Sequence, residues 1–211
     1  MNHIFNKLEL DLATEVINIG LAKAGDSLSF FTREKVLIRS KDLVIYNSYE
    51  KNLFSKSSDP ITILSTQIRG GMNGYCYLIF NREEVDRLNQ ISFPQRILDN
   101  PEQLAEMGKG MLMEADNIIT AAVVTQFSNL FKIDMHGYVP EHFSGNYKEV
   151  DNYIRTHATK GNYMLHFNTT LFSGEQNISP EFLWCLDETF VSAVKKFVKE
   201  DKSLIKLQEL I

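Results

Sequence analysis

The stretch that most constrains this chain is Asp11–Phe31, DLATEVINIGLAKAGDSLSFF. It contains no proline and its apolar residues recur at helical spacing, which predicts one long amphipathic helix. Ala13, Val16, Ile17, Gly20, Ala24, Leu28 and Phe31 form the stripe that must be buried. At about 100° per residue, the opposite face reads Asp11, Glu15, Asn18, Ala22, Asp26 and Ser29. A carboxylate and a carboxamide three residues apart project together from that face, because such positions are neighbours on a helix. Nothing bulky stands beside them, so this face is expected to meet a partner.

The same face is expected twice. A second helical pattern runs from Glu102 to Phe131 with a core stripe of Leu112, Ala115, Ile119, Val123, Phe127 and Leu130. Sliding the first helix 99 residues along matches Glu15 with Glu114, Asn18 with Asn117, Ile19 with Ile118, Ala22 with Ala121 and Ser29 with Ser128. Those five identities in 21 positions exceed the roughly one expected by chance. Glu, Asn, Ala and Ser lie on the polar face, whereas a repeat kept only for packing would preserve the stripe. Asp116 departs from the pattern, taking the rotation held by Ile17 in the first copy.

The remaining elements repeat in the same order. Lys35–Ile38 and Leu43–Tyr46 read as a strand or a bent pair, and Glu50–Pro60 as a loop. Ile61–Ile68 and Gly74–Phe80 read as a hairpin around Arg69–Asn73, with a short helix over Asn81–Asn89. Pro101 suits the start of the second long helix. After it, Gly137–Gly145 reads as a loop, Asp151–Thr159 as a short helix, and Tyr163–Leu171 and Phe182–Leu186 as strands. Ser173–Asn177 reads as a turn, Glu188–Lys199 as an amphipathic helix, and the C-terminus as a charged tail. Tyr75–Leu88 corresponds to Glu181–Val194 at an offset of 106. The expectation is an α+β fold built by tandem duplication, a single domain with repeats at about residues 5–92 and 102–200. Three short strands make a thin core, so both halves should share one antiparallel sheet with the two long helices packed on it.

Composition excludes several classes. A net charge of -5 argues against a nucleic-acid binder, which normally shows a basic stripe. Cys76 and Cys185 lie apart in apolar runs and read as buried thiols of a cytoplasmic protein. The N-terminus lacks the apolar core of a secretory signal, and no run is long enough to span a membrane. His3, His136, His142, His157 and His166 show no metal-ligand spacing, so no metal site is expected. Ser27, Ser29 and Ser128 lack a nucleophile elbow. Gly70-Gly71 reads as a hairpin turn, and Gly108 and Gly110 as helix residues. Trp184 reads as core, and Phe30-Phe31 as closing the first helix onto the sheet.

The repeated face resembles the CheC family of chemotaxis phosphatases, the group that also contains CheX and FliY. Its signature is Asp or Ser, three residues, Glu, two residues, Asn, then 22 residues and Pro. The first copy supplies Asp11, Glu15 and Asn18, continuing as Asn18-Ile19-Gly20, Ala24 and Leu28-Ser29. The second supplies Glu114, Asn117 and, 22 residues further on, Pro140. Lys41 replaces the first proline and Gly110 the second Asp or Ser. Two signatures in one chain is the CheC arrangement; CheX has one and forms a dimer.

The resemblance implies hydrolysis of the aspartyl phosphate of a CheY-type response regulator. Asn18 or Asn117 would orient a water in line with phosphorus, because a carboxamide both accepts and donates hydrogen bonds. Glu15 or Glu114 would pair with the regulator's lysine. Asp11 and Pro140 would frame the sites, and Ala22 and Ala121 would allow close approach. No cofactor of its own is implied; Mg²⁺ would come with the regulator. The rival reading is a non-catalytic module docking a CheD-type deamidase or another chemotaxis or flagellar partner. A diverged sensory domain is a third, disfavoured because both Glu–Asn pairs are intact.

Overall fold

The computed structural model describes residues 4–32, 35–47, 60–157, 162–173 and 176–201. Helix α1 spans Lys7–Thr32. It begins before the periodic stretch because Asn6 and Glu9 cap it reciprocally. The Asn6 side-chain oxygen accepts from the Glu9 N–H at 3.0 Å, and the Glu9 carboxylate accepts from the Asn6 N–H at 2.8 Å. Strand β1, Val36–Asn47, joins both expected segments into one. The hairpin is β2, Ile61–Gly70, with β3, Gly74–Asn81. Residues 50–59 of the expected loop lie outside the described residues. Helix α2, Arg82–Ser92, is capped by Asn81 and stops before Pro94, and the single turn α3 covers Gln95–Leu98. The second long helix, α4, covers Pro101–Phe131, with Asn100 as its cap and Pro101 in its first turn.

One expected loop is structured. Residues 137–145 contribute to two strands, β4 (Met135–Gly137) and β5 (Glu141–Gly145), both paired with β2. They lie at a sheet edge and bury little, so they lack the apolar alternation by which a strand is read from sequence. Helix α5, Tyr147–His157, starts earlier than expected, and β6 spans Tyr163–Ser173. The expected turn partly forms β7, Gln176–Ile178. Strand β8, Glu181–Leu186, and helix α6, Glu188–Glu200, complete the described fold. The C-terminal tail beyond residue 201 is outside the described residues.

All strand pairs are antiparallel, in the order β1-β6-β8-β3-β2-β4, with β5 also on β2 and β7 on β6. The halves therefore share one sheet and exchange their edges: β1 lies on β6, while β4 and β5 lie on β2. Register is symmetric about the middle. Tyr77 faces Leu183, 106 residues on, and the flanking pairs Cys76–Trp184 and Leu78–Phe182 exchange under that offset.

One sheet face carries Leu64, Ile68, Cys76, Leu78, Leu165, Phe167, Phe182 and Trp184 against α1, α4 and α6. The other carries Ile63, Tyr77, Ile79, Met164 and Leu183 against Val150 and Ile154 of α5. In β1, Val36 and Ile38 face the long helices, and so do Leu43 and Ile45. A register irregularity between Lys41 and Val44 makes that change of parity possible.

Candidate functional site

The two long helices bury the expected stripes: Ala13, Val16, Ile17, Ala24 and Leu28 in α1, and Leu112, Ile119, Val123 and Phe127 in α4. They meet closely at Gly20. A Cβ there would stand 2.7 Å from the Cα of Val123, so glycine is what allows the approach. Phe30 is 90% exposed and does not close α1 onto the sheet; the side chain of Phe31 is outside the described residues. Cys76 and Cys185 are buried and unpaired, and burial raises both thiols above their ordinary values. Trp184 is core.

Glu15, Glu114 and Asn117 are exposed, as are Asp11, Ala22 and Ala121. Among the described residues neither glutamate has an ion-pair or hydrogen-bond partner, so each carboxylate is available to an incoming cation. Two polar-face residues are less open than the helical pattern implied. The Ser29 hydroxyl donates to the Gly25 carbonyl at 2.7 Å and accepts from the Val36 N–H at 2.7 Å, which ties α1 to β1. Asn18 is only half-exposed, and its Oδ1 accepts a 2.5 Å hydrogen bond from the Ser40 hydroxyl. Asn18, Ala22 and Asp26 line an open groove of about 420 Å³ whose other wall is Val36–Ser40.

The second site is built differently. Ser40 lies opposite Thr169 on β6, and Gly137 lies opposite Ile68 on β2. Ile68 faces Gly74 while Thr169 bonds to Pro180, 106 residues after Gly74, so Gly137 takes the place of Ser40 in the sheet ladder, two residues before Val139, which the spacing from Asn117 pairs with Ser40. Gly137 has no hydroxyl, and among the described residues Asn117 has no hydrogen-bond partner. Pro140 is buried where the edge is interrupted between β4 and β5, so it shapes the chain beside α4 rather than being presented. Gly110, at the place of Asp11, is exposed, and a Cβ there would meet nothing within 4 Å.

Beneath Asn117 lies a group that sequence reasoning did not place in the site. Asp116 is 1% exposed, and its Oδ2 accepts from the Thr66 hydroxyl on β2 at 2.6 Å. Its Oδ1 has no partner among the described residues. Burial raises its pKa from 3.8 to about 7, against the opposing pull of hydrogen bonds from Thr66 and Thr120. Its only sequence signal was a carboxylate on a core rotation. Ser40 carried none, since its link to Asn18 depends on how β1 lies against α1.

No protein-family model and no curated protein matches the chain. Solved structures do. FliY of Thermotoga maritima superposes with a TM-score of 0.72 at 15% identity, covering 94% of this chain and 99% of that one. FliM in the FliM–SpeE complex from H. pylori gives 0.66 at 10% identity, covering 91% and 97%. The chemotaxis protein CheX from Desulfovibrio desulfuricans gives 0.53 at 13% identity, covering 82% and 99%. An α+β sheet flanked by two long helices, each with an outward Glu–Asn pair, is thus set in the fold shared by FliY, FliM and CheX.

Proposed function

We propose that the protein is a phosphatase acting on the aspartyl phosphate of a CheY-type response regulator. The observation that carries this reading is the Glu–Asn pair displayed on each long helix, with both carboxylates unpaired among the described residues. Phosphoryl transfer asks mainly for positioning and charge compensation. The regulator brings the phosphate and Mg²⁺. Glu15 or Glu114 clamps a lysine of the regulator, and the carboxamide holds the attacking water in line. An amide is too weak a base to take the proton, so its work is orientation. The fold is shared with the chemotaxis protein CheX, which makes a signalling phosphatase coherent with the scaffold.

The test follows decay of a phosphorylated regulator from the same cell. Wild-type protein is expected to accelerate decay, and Asn18→Ala with Asn117→Ala to abolish the acceleration while circular dichroism and melting remain native. Wild-type rates in the double variant would sink the assignment. The second reading is a docking module without catalysis, binding a CheD-type deamidase or a flagellar protein. It is favoured by the likeness to FliM, solved in complex with SpeE. Binding of a regulator with no change in its dephosphorylation rate would select it.

A further inference from the structure

The two sites do not offer the same atoms to a substrate. At the first, the Ser40 hydroxyl holds Asn18 Oδ1 at 2.5 Å. Oδ1 is the acceptor half of the amide, and the other half, Nδ2, can only donate. A water in line with phosphorus must point a lone pair at the phosphorus and its protons elsewhere. It is therefore oriented by an acceptor. With Oδ1 drawn toward β1, one of its two lone pairs is occupied and the carboxamide is held in one orientation, so the acceptor is not free to turn toward a water over the exposed helix face. At the second site the place of Ser40 is taken by Gly137, and Asn117 is exposed with its carboxamide unengaged among the described residues.

We infer that Ser40 is a positioning residue that holds the first site in a low-activity state, and that the Glu114–Asn117 site carries most of the turnover. This inference rests on the phosphatase reading. It adds to that reading an inequality between the sites and assigns its cause to one hydroxyl. The buried Pro140, which only the second copy has, is consistent with the same division. Because the lock is a single hydrogen bond, removing it should wake the first site while leaving the Glu15–Asn18 pair itself unchanged.

The experiment compares single-site proteins in the phosphorylated-regulator decay assay under single-turnover conditions. The protein left with the second pair (Asn18→Ala) is expected to be at least ~10-fold faster than the one left with the first (Asn117→Ala), since misplacing a reacting group by about 1 Å costs up to about 100-fold. Ser40→Ala added to Asn117→Ala is expected to raise the rate at least ~3-fold, a modest part of that positioning cost. Ser40→Thr keeps the hydroxyl and is expected to leave the Asn117→Ala rate low. In a triple variant that also carries Asn18→Ala, Ser40→Ala should give no gain. Equal rates for the two single-site proteins, or a further fall on Ser40→Ala, would overturn the inference while leaving the phosphatase reading intact. Full activity in the Asn18→Ala, Asn117→Ala double variant would instead remove that reading and this inference together.

Discussion

At the scale of single residues, Asp116 is the position where packing and chemistry conflict. A carboxyl in the core costs free energy when ionised, and the hydrogen bonds from Thr66 and Thr120 do not offset the loss of water. Its pKa of about 7 in the folded chain lies above the ordinary 3.8. The native state therefore holds the proton more tightly than the unfolded chain does. Between those two values the native state binds more protons, so this group's contribution favours folding at low pH. That contribution is lost as pH rises toward 7, and the penalty is complete above it. Asp116→Asn keeps an oxygen for Thr66 and cannot ionise. Relative to wild type it should gain about 2–4 kcal/mol in going from pH 5 to pH 8.5, the scale set by about 1.4 kcal/mol per pH unit. Urea unfolding of both proteins at the two pH values measures this. A stability difference that does not move with pH would show that Asp116 is not ionising in the core.

At the scale of elements, the long helices were legible because their apolar stripes are long and regular. Leu21, fully buried, and Gly25, also buried, are α1 residues the stripe omitted. The edge strands β4 and β5 were not legible: they are short, bury little, and owe their pairing to β2 rather than to any pattern of their own. The Glu–Asn pairs could be read from a helical wheel, but Ser40 could not, because the partner of Asn18 comes from another element. The glycines of the two helices separate for the same reason, since spacing alone cannot say which one is held by a neighbour. Gly110 faces open space, so Gly110→Ala should stabilise by about 0.4–1 kcal/mol through reduced freedom of the unfolded chain. Gly20 faces the backbone of Val123, so Gly20→Ala should cost about 1–3 kcal/mol by prising the helices apart. Thermal melts of both variants decide this, and the same sign of shift in both would contradict the packing described.

At the scale of the whole molecule, the exchanged edges decide how the halves depend on each other. If the chain is one domain made of repeats at about residues 5–92 and 102–200, neither repeat holds a complete sheet. The first would leave β1 without β6 and β3 without β8; the second would leave β4 and β5 without β2. Each would also expose the helix face packed at Gly20 and Val123. Backbone groups and apolar area left uncovered on that scale are more than a half-sized core can compensate. Cutting the chain between Asp99 and Asn100, after the α3 turn, should therefore give two fragments that are unfolded or aggregated alone and form a 1:1 complex when mixed. Far-ultraviolet circular dichroism of each fragment and of the mixture, with sedimentation to give the stoichiometry, reads the outcome. A fragment that melts cooperatively as a monomer would mean the halves are separate domains in contact. A fragment that folds only as a homodimer would show that a second copy can replace the missing half, which the symmetric register about Tyr77 and Leu183 makes geometrically feasible. Between a 1:1 mixture and that homodimer, the mixture should be the more stable, because only it restores the pairing of β1 with β6 and of β2 with β4 and β5 together.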